Sequence, residues 1–82
     1  MMILSQENTW VNLDSVVKIN AYIGNYQDEN GNDTTAYEIS AVLTTGEDIT
    51  LGYYDTEAEV DDIITHQLAN CFDANIRIFK MP

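Results

Sequence analysis

Along much of the chain, apolar and polar positions alternate with a period of two, and they switch to helical spacing only once. Met2 to Ser5 is a short apolar run. Gln6-Glu7-Asn8-Thr9 is polar and turn-like, and Trp10-Val11-Asn12-Leu13 resumes a strand pattern, so the first two strands read as a hairpin. Asp14-Ser15 marks a bend or bulge, after which the Trp10 strand is expected to continue. Beyond the bend, Val17, Ile19, Ala21 and Ile23 fall on one face, and Val16, Lys18, Asn20 and Tyr22 on the other, with β-branched enrichment. Asp28 to Asp33 is a loop, and its Asn30-Gly31 step favours the positive φ of a tight turn. Tyr37, Ile39, Ala41 and Leu43 then alternate with Glu38, Ser40, Val42 and Thr44. After a second turn at Thr45-Gly46, Ile49, Leu51 and Tyr53 alternate with Thr50, Gly52 and Tyr54.

The period changes at Asp55. Thr56 followed by Glu59 is a capping box, and Asp55, Glu57, Glu59, Asp61 and Asp62 favour the positive end of a helix dipole. Val60, Ile63, Ile64, Leu68 and Cys71 recur at three- and four-residue spacing, a stripe that packs on a sheet. Ile76 to Met81 reads as a last strand. The predicted order is β-β-β-β-α-β. It implies one α+β domain over residues 1–82, with a mostly antiparallel five-stranded sheet, strongly curved or half-barrel, and one packed helix. Val60, Ile64 and Leu68 are expected to be buried against Ile19, Ile39, Leu43 and Leu51. One helix covers one sheet face, so Val16, Tyr22, Val42 and Tyr54, with Trp10 and Tyr26 added, are expected to form an exposed aromatic face suited to a partner or a homodimer.

Charge narrows the function. Fourteen carboxylates stand against three basic side chains in 82 residues, for a formal net charge of -11. A hydrophobic share of 45% separates the chain from acidic disordered tails. Such a surface repels nucleic acid and anionic membranes and attracts basic protein partners. The acids group in three places: Asp28, Glu29 and Asp33; Glu47 and Asp48; and Asp55, Glu57, Asp61 and Asp62. The basic residues Lys18, Arg77 and Lys80 all lie on predicted strands.

Catalytic and metal-binding patterns are missing. His66 is the only histidine, and Cys71, five residues on, falls about 140° around an α-helix and does not share its face. His66 reads as a solvated surface residue and Cys71 as a packed, inert thiol. The oxygen-rich Asp28–Asp33 loop invites a calcium reading but departs from the EF-hand spacing. The expectation is therefore a non-enzymatic protein with no catalytic residues, no cofactor and no metal. A single cysteine excludes an intrachain disulfide and suits a reducing compartment, and neither a signal peptide nor a membrane span is visible, so a cytoplasmic location is expected.

Four segments, Ile3-Leu4-Ser5-Gln6, Val11-Asn12-Leu13-Asp14, Leu51-Gly52-Tyr53-Tyr54-Asp55-Thr56-Glu57-Ala58 and Met81-Pro82, resemble short uncharacterised proteins of Gram-positive (Firmicutes) phages and prophages. The resemblance covers most of the chain and rests on structural motifs. It implies no activity. It implies a small phage accessory protein, a class that often encodes inhibitors of host defence or regulators. The acidic loop around Asn30-Gly31 is longer than is usual in that group.

Two functional expectations follow. One is an acidic interaction module for a protein partner with a basic surface. Its sharpest form is a DNA mimic that inhibits a host nuclease, a CRISPR effector or a DNA-binding protein by filling its basic groove. The other is a structural, assembly or homo-oligomeric accessory protein using the aromatic face.

Overall fold

The computed structural model describes residues 1–82. It is an α+β fold of six strands and one helix, with the strands divided between two three-stranded sheets rather than gathered in one five-stranded sheet. β1 (Met2–Leu4) and β2 (Trp10–Asn12) form the expected hairpin, and the last strand, β6 (Ile78–Lys80), joins β1 in parallel, giving the order β2-β1-β6. β3 (Val16–Gln27), β4 (Asp33–Leu43) and β5 (Asp48–Tyr54) form an antiparallel meander. The bend at Asp14-Ser15 is a 3-10 turn over Leu13–Ser15, closed by the Asn12 side chain accepting from the Asp14 N–H. It does more than bend a strand, because β2 and β3 lie in different sheets and β3 does not continue β2.

Paired residues in an antiparallel ladder share a face, and two β-bulges therefore change which side chains point inward. Val16 pairs with Leu43, whereas Lys18 pairs with Val42, leaving Val17 unpaired. The extra residue brings Val16 to the same face as Ile19 and leaves Val17 65% exposed, the reverse of strict alternation. In β5, Gly52 pairs with Ile39 and Thr50 with Ser40, so Leu51 is the extra residue. Beyond it Tyr54 pairs with Tyr37 on the inner face and is only 6% exposed, while Tyr53 pairs with Glu38 on the outer face. Tyr54 therefore belongs to the core and not to an exposed aromatic surface.

The helix runs as α1 (Glu57–Asp62), a π-helical stretch (Ile63–Leu68) and α2 (Ala69–Asp73). Thr56 caps it as expected, with its hydroxyl accepting from the Glu59 N–H at 3.2 Å. Five-residue hydrogen-bond spacing in the π stretch aligns residues that an α-helix would separate. Ile63 and Leu68 are both buried, and the Gln67 side chain reaches Asp62, also five residues back, at 2.8 Å. Ile63 thus takes the buried place expected for Ile64, which is half-buried at the margin.

The core joins all the elements. Ile3, Val11 and Phe79 come from the β2-β1-β6 sheet, Ile39, Ala41, Leu51 and Tyr54 from the meander, Val60, Ile63 and Leu68 from the helix, and Met81 from the end of the chain. Ile19 and Leu43 pack on its rim, while Ile23 is 58% exposed. The seam between the sheets is closed by Gln6. Its main-chain N–H donates to the Leu51 carbonyl at 2.8 Å, its Oε1 accepts from the Tyr53 N–H at 2.7 Å, and its Nε2 donates to the Pro82 oxygen at 2.8 Å. Space for this amide exists because residue 52 is glycine: a Cβ there would lie 2.7 Å from Gln6 Cδ and from the Tyr54 hydroxyl.

Two stability measurements check this packing. Leu68→Ala is expected to cost about 2–5 kcal/mol in denaturant unfolding, and a wild-type midpoint would refute the assigned helix face. Gly52→Ala is expected to cost about 1–3 kcal/mol by displacing the Gln6 amide. Gly46→Ala loses only the easy positive φ of a turn with no neighbour in reach, and is expected to cost less.

Candidate functional site

The helix covers the inner face of the meander over β4 and β5, with Ala21 and Ile23 of β3 still exposed, and leaves the outer face open. Register places Lys18, Val42 and Asp48 in one row of that face, Asn20, Ser40 and Thr50 in the next, then Tyr22, Glu38 and Tyr53, with Gly24 and Tyr26 beyond. At its centre stands Glu38, only 8% exposed although it carries an ionisable carboxyl. Its hydrogen-bond partners are phenols. Tyr22 donates its hydroxyl to Oε2 in a short contact, and Tyr26 donates to Oε1 at 3.5 Å, the outer limit of a hydrogen bond. Tyr53, from the neighbouring strand, packs edge-on against Tyr26, with ring centroids 5.2 Å apart and planes at 79°.

Local sequence explains how the cluster forms. Tyr22, Gly24 and Tyr26 alternate on β3, so all three face outward. A Cβ on Gly24 would meet the Tyr26 hydroxyl at 2.8 Å and its ring at 2.9 Å. Glycine lets the Tyr26 ring fold back along the strand toward Glu38. Ser40, two residues along β4 from Glu38, is fully buried, and its hydroxyl makes no hydrogen bond.

The carboxylate and its burial set the acidity of the phenols. Tyr22 is raised above the ordinary 10.0, first by donating to Glu38, with the nearby Ser40 hydroxyl opposing and partial burial and the charges of Glu38 and Asp48 adding. Tyr26 and Tyr53 are raised first by burial and then by Glu38. Tyr54, on the inner face, is raised by burial and by the charge of Glu59, and its hydroxyl donates to the Pro82 oxygen at 3.0 Å.

The acids singled out in the sequence are dispersed. The Asp28–Asp33 loop and the Glu47-Asp48 turn sit at opposite ends of β4, whose eleven residues span about 35 Å. Asp28 is engaged in its own loop, where its carboxylate accepts from the N–H groups of Asn30 and Asn32, each at 2.9 Å. Glu29, Asp33, Glu47, Asp48 and Glu57 are exposed. Asp61 accepts from Thr65. Asp55 and Asp62 are gathered with a further acid, Glu59, around a cleft of about 350 Å³ bordered by Gln6, Gln67 and Pro82 at the sheet seam, while Glu57 and Asp61 border a separate apolar cleft between the helix and β3. The three groups thus form no single compact array of the kind a groove-filling DNA mimic uses.

The expected aromatic face is likewise divided. Tyr22 and Val42 are on the outer meander face, Trp10 is exposed on the other sheet beside Leu4, and Tyr54 is internal. His66 is exposed, and Cys71 is half-buried against the core. No three histidine, cysteine, aspartate or glutamate side chains are placed to hold a metal ion, and no helix is long and apolar enough to cross a membrane. Glu38, Ser40 and Tyr53 escaped the sequence reading. The available signal was a carboxylate within the strand run Tyr37-Glu38-Ile39-Ser40-Ala41, where an exposed polar residue was expected.

In comparisons with known proteins, no family model, no curated protein and no solved structure matches the chain.

The four raised phenols make stability depend on alkaline pH. Each holds its proton more tightly in the folded chain, so its contribution is complete below pH 10 and is lost as pH rises through the folded-state values. Ultraviolet titration should show phenolate absorbance of the native protein delayed relative to the urea-unfolded chain. Chemical stability should fall above pH 10. Superimposable native and unfolded titrations would contradict the cluster.

Proposed function

We propose that the protein is a non-enzymatic binding module that docks onto a basic surface of a protein partner through the outer face of the meander. One observation carries this reading: an open sheet face, in a chain of net charge -11, centred on a carboxylate buried under tyrosines with no cation beside it. Aromatic side chains around a polar centre are the usual anchors of protein interfaces. The surrounding negative field draws basic partners in and discourages anionic ones. Phage or prophage origin remains an expectation of the sequence resemblance and fits an accessory protein that works by binding. The dispersed acids favour a partner with a basic surface in general over mimicry of a DNA segment.

Homo-oligomerisation is the second reading, and it has an observation of its own. β3 is a free sheet edge of twelve residues with Val17 and Ile23 exposed, the kind of edge that pairs with another strand. The charge of two copies opposes it, so high salt should promote a dimer in analytical ultracentrifugation while weakening capture of a basic partner.

A tagged protein, incubated with bacterial lysate and washed at rising salt, tests the proposal. Captured proteins should be basic and should elute as salt rises. The double variant Tyr22→Ala, Tyr53→Ala on the outer face should bind the recovered partner more weakly, whereas neutralising any one exposed helix acid, such as Glu57→Gln, should matter by no more than about 1 kcal/mol. Salt-independent capture of neutral proteins would overturn the reading.

A further inference from the structure

We infer that Tyr22, Tyr26, Tyr53 and Glu38 form a receptor for one guanidinium group, an arginine of the partner's basic segment that stacks on the tyrosine rings and pairs with the Glu38 carboxylate. The inference rests on the proposed function, because it names where a basic partner is anchored.

Charge is the first argument. A carboxylate taken out of water is costly unless it is paired. Lys18 is the only base on this face. It stands two rows away, about 13 Å along the strands, while Lys80 lies on β6 in the other sheet and Arg77 just precedes that strand. The chain therefore supplies no cation for Glu38, and a partner can.

Hydrogen-bonding capacity is the second. An ionised carboxylate offers about four acceptor positions, and the two phenols occupy two of them. Having given their protons to Glu38, the phenol oxygens keep lone pairs of their own. With the Tyr22 and Tyr26 protons committed to Glu38, the cluster has more free acceptor positions than free donors, which suits a guanidinium with its five N–H groups.

Shape is the third. Tyr26 and Tyr53 stand nearly at right angles and form a corner of aromatic walls. A cation within about 6 Å of such a ring centroid is attracted to its face. Tyr22 and Tyr53 are 45% and 41% exposed, so a side-chain rotation of one ring opens the way to Glu38. Arginine suits this site better than lysine, since its planar, weakly hydrated head stacks on rings and binds a carboxylate through two parallel hydrogen bonds, whereas an ammonium is compact and strongly hydrated.

Hexa-arginine and hexa-lysine peptides, titrated into the protein at low salt by calorimetry and NMR, test the site. The arginine peptide should bind more tightly and should shift the ring protons of Tyr22, Tyr26 and Tyr53. Glu38→Gln should weaken it about tenfold or more, and Tyr26→Leu, which removes a wall and leaves the carboxylate, should abolish the preference for arginine. The double variant Asp28→Asn, Glu29→Gln, at a distant turn, should change affinity by less than about threefold. Thermal melts of each variant separate loss of binding from loss of fold. If the arginine peptide binds but leaves the tyrosine rings unshifted and is indifferent to Glu38→Gln, the receptor is refuted while the acidic module stands. If it does not bind at all, both fall.

Discussion

The β-bulge at Leu51 is the feature on which both halves of the molecule depend. One extra residue in β5 lets Leu51 and Tyr54 enter the core, although they are three positions apart, and turns Tyr53 outward between them. The same bulge presents the Leu51 carbonyl and the Tyr53 N–H to Gln6, which ties the first hairpin and the end of the chain to the meander. Gly52 makes the approach possible. Without the bulge, Tyr53 would compete for the core and Tyr54 would stand in solvent. The Glu38 cluster would then lose its contribution from the neighbouring strand.

Two small sheets and a short helix form a single core because none of them can bury an apolar face alone. A three-stranded sheet has one face to hide, and the helix stripe is widened by its π stretch so that Ile63 and Leu68 reach the same side. Pi-helical turns carry poorer geometry than α turns, and here the return is that Ile63 and Leu68 are both buried in the shared core. The cost of this economy is an outer meander face with nothing over it. On that face a buried carboxylate, three tyrosines and an orphan serine hydroxyl form a polar centre that the fold itself does not require. A neutral β-forming residue at position 38 would pair equally well in the ladder.

The acidic surface and this cluster act at different ranges. Exposed carboxylates spread over a 41 Å long axis give a diffuse field that steers encounter and fades with salt. Glu38, screened by its tyrosines, is less sensitive to salt and is fixed in position. In the proposed docking, a field of the first kind selects for basic partners in general, and a site of the second kind discriminates among their side chains.

The sequence by itself determined the α+β class, the first hairpin, both glycine turns of the meander, the Thr56 cap and the apolar stripe of the helix. Each of these follows from a local preference: alternation, positive φ at Gly31 and Gly46, or a hydroxyl three residues before an acid. It also determined the charge, -11 over 82 residues. The division into two sheets was decided by tertiary structure, because the pairing of β6 with β1 joins residues more than seventy positions apart and leaves no local mark. So were the inward faces. Period-two reading carries parity along a strand, and a single bulge reverses it without altering composition. That reversal placed Val16 and Tyr54 inside and Val17 and Tyr53 outside. The candidate site was therefore only partly legible: Tyr22 and Tyr26 could be assigned to one face from β3 alone, but Tyr53 and the burial of Glu38 depend on a register that only the folded sheet supplies.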